Sequence, residues 1–393
     1  ITAANGSNYT KVSWKAVEGA TKYYLYKSIS ENGKYELVSA FDAGTLSYVD
    51  RDVAAGETVY YKTRCFNGVD MSAFSTAKRS VFIEIPKIKS VVNVYGGQTF
   101  SWGAVKGATG YRVYRKIYGS KYYTYITTVD ANTLSYTDTG CTNGKIMCYT
   151  VKAVNGDSAS AYLAKCMTYV TAPTPSISNS PSGVYLKWDK NDAAVGYWVY
   201  RKTPQAKYWT RIACVKTLYY TDATVKSGTN YLYTVKAYTG KILSGCNMNG
   251  WALMHLATPQ MTSVANGYGA VTCFWNAVPG AKSYNVYCKA DGATSWSYLG
   301  NTTSTFYRDA SVKSLSTYTY TVRAVNGSNI SSFNYAGKSV KHLTAPTISI
   351  SNSTTGVYLQ WNRITGANSY YVYRKAGKLE EAVPHLIIVC DEF

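Results

Sequence analysis

Tyr149-Thr150-Val151-Lys152-Ala153-Val154-Asn155-Gly156 alternates ring or aliphatic side chains with polar ones and ends in a turn pair. A period of two marks a strand with one buried face, and Asn-Gly closes it. Tyr149, Val151 and Ala153 face inward, and Lys152 faces out. The same phrase recurs from Tyr320 to Gly327, with tyrosines Tyr61 and Tyr233 at the matching places.

Working outward, the whole chain is periodic. Trp14, Trp102, Trp188, Trp275 and Trp361 are separated by 88, 86, 87 and 86 residues. Nine residues after each stands a tyrosine: Tyr23, Tyr111, Tyr197, Tyr284 and Tyr370. Short alternating runs such as Phe100-x-Trp102 and Tyr111-x-Val113, separated by turns, recur every eight to twelve residues, which predicts an all-β chain of sandwiches. Pro86, Pro173, Pro259 and Pro346 fall between copies, where a residue without an N–H suits a sandwich edge. The expected modules are 1–86, 87–172, 173–258 and 259–345, with a truncated copy over 346–377 and a non-repeat tail over 378–393. Linkers are nearly absent, so an elongated, semi-rigid rod is expected. The tail is expected to be disordered unless its apolar piece, Leu386 to Val389, pairs as a makeshift strand.

The order Trp, Tyr-x-Val-Tyr, then Tyr-x-Val-x-Ala closing on Asn-Gly resembles the fibronectin type III family over residues 1 to about 376. The resemblance implies an immunoglobulin-like sandwich in which the Trp packs under the third-strand Tyr. It also implies a tyrosine corner at Tyr61, Tyr149, Tyr233 and Tyr320, tying the sixth strand to the preceding turn. In the first copy Cys65 stands where the others have Ala153, Ala237 and Ala324.

Catalytic chemistry finds no foothold in the sequence, and a non-enzymatic chain without cofactor is expected. His255 and His342 occupy a position that Phe82 and Tyr169 fill in other copies, which reads as ring packing. Asp50, Asp138, Asp222 and Asp309 come once per copy, too far apart for paired-carboxylate chemistry and well suited to bond their own backbone two residues on. The nine cysteines share no register, and only Cys141, Cys148 and Cys166 cluster enough to suggest one incidental bridge.

Forty-one Lys and Arg against 21 Asp and Glu give a net charge of +20, which favours anionic partners. No nucleic-acid reading module is present, which disfavours nucleic acid, and no apolar run is long enough to span a membrane. Alternation along the third and sixth strands puts one outward tyrosine beside one outward cation in each copy: Tyr26 with Arg64, Tyr114 with Lys152, Tyr200 with Lys236, and Tyr287 with Arg323. Trp198 enlarges the third of these patches. Each pair reads either as a cation–π contact covering the sheet or as a repeated binding patch.

Phrases such as Val113-Tyr114-Arg115-Lys116 are similar to repeats in surface and secreted proteins of Gram-positive gut bacteria. That group includes B-cell superantigens that bind immunoglobulin variable regions. The similarity implies an extracellular, cell-surface or secreted chain. Its partner is then a host protein, with immunoglobulin the candidate, ahead of a plain spacer or an adhesin for a glycan or an anionic cell-wall polymer.

Overall fold

A computed structural model describes residues 1–374 and 387–389. Every regular element among the described residues is a strand. In the second module the strands run Ile88–Val94, Gly97–Trp102, Gly110–Ile117, Thr124–Asp130, Ser135–Asp138 and Ile146–Asn155, then a split last strand, Ser158–Ala159 and Ala164–Thr168. They form two antiparallel sheets, one ordered first–second–fifth and the other fourth–third–sixth–last. The first, third and fourth modules repeat that order.

The two sheets enclose one core per module because alternate side chains of each strand meet between them. In the second module Phe100, Trp102, Tyr111, Val113, Tyr149, Val151 and Ala153 are buried together. Each Trp lies against the third-strand Tyr, with ring centroids 6.0, 5.6, 5.4, 5.5 and 5.7 Å apart from the first copy to the fifth. The hydroxyl of that Tyr accepts a backbone N–H six residues upstream in every copy, from Val17, Val105, Asn191, Val278 and Ile364. A single ring thus fills the core and fixes the turn leading into its own strand.

Successive modules abut end to end. The turn before each sixth strand presents Gly56, Gly144, Gly228 or Leu315, all with positive φ of 68–80°. Its N–H donates to the carbonyl of Phe82, Tyr169, His255 or His342 near the end of the same module. The ring position is therefore buried packing in all four, as its tolerance of Phe, Tyr and His suggests. Glycine suits the left-handed backbone and also the close approach of the next module. A Cβ on Gly107 would meet Gly56, and one on Gly280 would meet Gly228.

A second contact lies across each joint. Asn93 and Asn179, at the ends of first strands, each donate to their own module's last strand (Thr168 and Met254 carbonyls) and to the next module's hairpin (Leu243 and Ile330 carbonyls) at 3.0–3.2 Å. At the first joint Arg79 donates to Asn155 at 3.1 Å, and the Val81 amide to Ser158 at 2.9 Å. The hairpins that close these sixth strands, Asn-Gly in the second and fourth modules and Thr239-Gly240 in the third, are therefore also docking points for the preceding module. The accessible surface, 22983 Å², exceeds the roughly 15,000 Å² of a compact protein of this mass, as an extended string requires.

In the fifth copy Ile348–Ser353 pairs with Gly356–Trp361, and Tyr370–Val372 pairs with Ile387–Val389. The apolar tail piece therefore makes the makeshift strand, and the expectation of disorder does not hold for those three residues. The rest of 375–393 lies outside the described residues.

Candidate binding surface

The outer face of the four-stranded sheet carries the aromatic and cationic side chains. Third and sixth strands pair with Tyr24 opposite Arg64, Arg112 opposite Lys152, Trp198 opposite Lys236 and Asn285 opposite Arg323. The tyrosine of each expected pair thus sits one outward position further along its strand, diagonal to the cation.

In the first module the diagonal closes. Arg64 donates to the Tyr26 hydroxyl through Nε and Nη2 at 3.1 and 2.8 Å, and its guanidinium lies 5.2 Å from the ring centre. In the third module Lys236 lies 5.9 Å from the Tyr200 ring, Trp198 packs 6.5 Å from Tyr200, and Arg211 lies over the Trp198 ring at 4.4 Å. The other two pairs need correction. Lys152 lies over Tyr162 at 5.1 Å while Tyr114 packs on Tyr125. Arg323 lies over Phe333 at 4.6 Å, and it is Phe333 that touches Tyr287, at 4.9 Å.

The reason is a ring that strand alternation does not reveal. After each sixth strand a serine, Ser72, Ser160, Ser244 or Ser331, accepts the amide of Cys65, Ala153, Ala237 or Ala324 and returns its own amide to the same residue's carbonyl. That reciprocal pair fixes the loop, and the residue two positions on falls onto the sheet: Phe74, Tyr162, Cys246 or Phe333. Where it is aromatic it takes the cation. The series Ser-x-ring at the module period was the available signal. A further cation–ring contact borders the same face, Lys62 on Tyr35, Lys116 on Tyr123, Lys202 on Trp209 and Lys289 on Trp296, at 4.3–5.3 Å. In the second module the contacts run continuously, Lys116 to Tyr123 to Tyr162 to Lys152.

Each module also buries a charged group. Asp50, Asp138, Asp222 and Asp309 each accept the amide two residues on, as the turn reading expects, at 2.9–3.0 Å. The second carboxylate oxygen accepts the corner hydroxyl of Tyr61, Tyr149, Tyr233 or Tyr320 at 2.7–3.1 Å. The corner is thus tied to the last residue of the fifth strand. Burial first, reinforced by the neighbouring carboxylate, pushes these four phenols far above the ordinary tyrosine range. Lys27, Arg115 and Arg201 neutralise the aspartate in the first three modules. In the fourth, buried Cys288 holds that position and Asp309 has only the Ser311 hydroxyl and Tyr320 besides its turn amide.

Cys288→Arg is expected to restore the ion pair and raise the fourth module's stability by about 1 kcal/mol, read as a higher-temperature calorimetric transition. An unchanged or lowered transition would show that the thiol packs better than the cation bonds. Burial also pushes the core thiol of Cys273 up, to about 12, consistent with a small apolar role. Cys148 and Cys166 face each other across the sixth and last strands and form a disulfide. Among the described residues no cluster of three or more His, Cys, Asp or Glu could hold a metal.

The two sheets, the Trp–Tyr core, the corner and the strand order together define the fold. Each complete module has the immunoglobulin-like sandwich fold of fibronectin type III domains. Solved chains similar to this array include the FN1–FN3 domains of chicken CNTN1, at 14% identity over 65% of this chain and 96% of that one, and a two-domain fibronectin type III segment of chicken tenascin, at 17% over 42% and 96%. Both superpose with a TM-score of 0.25. No protein-family model matches the chain. A stretch of 271 residues is 31% identical to Exoglucanase B of Cellulomonas fimi, covering 59% of this chain and 23% of that protein. The chain thus spans under a quarter of that relative's length.

Proposed function

We propose that this chain is a non-catalytic stalk of an extracellular protein, holding the parts it joins at a fixed distance and angle. The observation that carries this reading is the bonded joint: a turn-to-turn contact at each boundary, seconded by a hairpin clasp between complete modules. A flexible tether would need free linkers, and none separates these modules. The match to a fraction of a protein named as an exoglucanase supports a connecting role beside a carbohydrate-acting domain. The Cys148–Cys166 disulfide supports an oxidising compartment. Small-angle scattering should show a rod one sandwich thick whose length falls by an equal step for each module deleted. A compact or broadly heterogeneous profile would reject the stalk.

Exposed rings at Tyr118, Tyr122, Tyr208 and Tyr335 favour a second reading, a binding surface for a host protein with immunoglobulin as the candidate. Retention of serum immunoglobulin on the immobilised chain tests it, and failure to retain any removes it.

A further inference from the structure

The repeat is broken in one place on the outer face, and the break opens a cleft. Where the other modules place Phe74, Tyr162 and Phe333, the third has Cys246, preceded by Gly245 in place of Ala73, Ala161 and Ser332. A Cβ on Gly245 would run into the backbone of Val94 and Tyr95, so only glycine lets that turn of the second module press against the third. The missing ring leaves an open cleft of about 440 Å³ at the joint, within the range of small-ligand sites, which favour domain boundaries. Its walls include Lys236, Tyr95, Cys246, Asn247, Met248 and Asn249. Tyr95 is 49% exposed and is held edge-on by Trp251, 6.4 Å away.

The cleft sits between the two most basic modules. Residues 87–172 and 173–258 each carry ten Lys and Arg against three Asp and no Glu, whereas residues 1–86 carry ten against nine acidic groups. The wall chemistry is one cation, the side-chain amides of Asn247 and Asn249 beside the clasp amide of Asn93, and one ring presented to solvent. That set matches a sugar ring bearing a carboxylate: ammonium for the carboxylate, amides for the hydroxyls and the tyrosine for the apolar face of the ring. A phosphate backbone, with a charge every few ångströms, calls for a dense row of cations and arginine forks, and the cleft wall has no arginine.

We infer that the joint between the second and third modules is a binding site for a uronic-acid unit of a linear acidic polysaccharide. The site goes beyond the stalk reading, and its failure would leave the rod untouched.

Titrating the full chain with tetragalacturonic acid, followed by amide chemical shifts and calorimetry, should perturb Lys236, Asn247 and Tyr95 together. Lys236→Gln and Tyr95→Ala should each weaken binding by about tenfold or more, the loss expected for one charge-assisted or ring contact. Cys246→Tyr, which restores the ring found at Tyr162, should abolish binding while leaving the melting temperature of the module within a few degrees. Absence of shifts around the cleft in the unmodified chain overturns the site, as does binding that survives Cys246→Tyr. Equal affinity for uncharged cellotetraose overturns the acidic specificity, and tighter binding of single-stranded DNA at the same residues replaces the polysaccharide with nucleic acid.

Discussion

Asp222→Ala is expected to destabilise the third module by about 3–5 kcal/mol, enough to unfold it near physiological temperature while its neighbours stay folded. The carboxylate is fully buried and holds four groups at once: the Thr224 amide and hydroxyl, the Tyr233 hydroxyl and the Arg201 guanidinium at 2.6 Å. Removing it strands a buried phenol and leaves a half-buried cation with the Thr224 hydroxyl and the Tyr231 ring but no counter-charge. Denaturant unfolding followed by Trp fluorescence measures the loss, and a cost below about 1 kcal/mol would show that water re-solvates the gap freely. Asp309→Ala should cost less, because no guanidinium is left behind in the fourth module.

The same group sets an acid limit. Burial pushes the Asp222 carboxyl up, but the Thr224 hydrogen bonds and the Arg201 charge outweigh it and hold the carboxyl below its usual range. The unfolded chain therefore binds that proton at higher pH than the folded one, so the contribution is present above about pH 4 and is lost as pH falls below it. Asp222→Asn should remove this part of the acid dependence.

Gly280→Ala is expected to open the joint between the third and fourth modules. The added Cβ would overlap the backbone of Gly228, which cannot swing aside as a side chain could. Gly280 also has a φ of 84°, so any side chain adds about 1–2 kcal/mol of left-handed strain. Gly292→Ala supplies the control: φ is 77° and nothing lies near its Cβ. Both variants should lower the stability of the fourth module similarly, but only Gly280→Ala should broaden the distribution of distances between labels on the two modules. Identical distributions would mean that the hydrogen bonds across the joint, from Asn179, Ser227 and the Met254 amide, hold it without the turn contact.

Much of this was legible in the sequence because the core obeys a period of two. Trp102, Tyr111, Val113, Tyr149, Val151 and Ala153 announce their burial by alternation, and repetition in register multiplies the signal. Arg115 was not legible as a partner of Asp138. Alternation places it on the inward side of its strand, where a cation looks misplaced until the fifth strand brings the carboxylate beside it. Tyr162 and Phe333 were missed for a different reason. They sit on loops that a serine folds back, and no strand period extends through such a turn. The expected partnerships of Lys152 and Arg323 failed on that omission, since each cation takes the nearer ring. The cleft at Cys246 could be seen only as an exception to a pattern that first had to be recognised.

The bridge between Cys148 and Cys166 has a consequence for a chain pulled from both ends. Load on a tandem array enters each module through its terminal strands, and the last strand of the second module is fastened covalently to its neighbour. The 17 residues between the two cysteines, which stand 18 positions apart, cannot be drawn out while the bridge is intact. On forced extension the second module would therefore release roughly 60 Å less chain than a module without such a bridge. Reduction would return that length, so the redox state of its surroundings sets how far the string can stretch before it breaks.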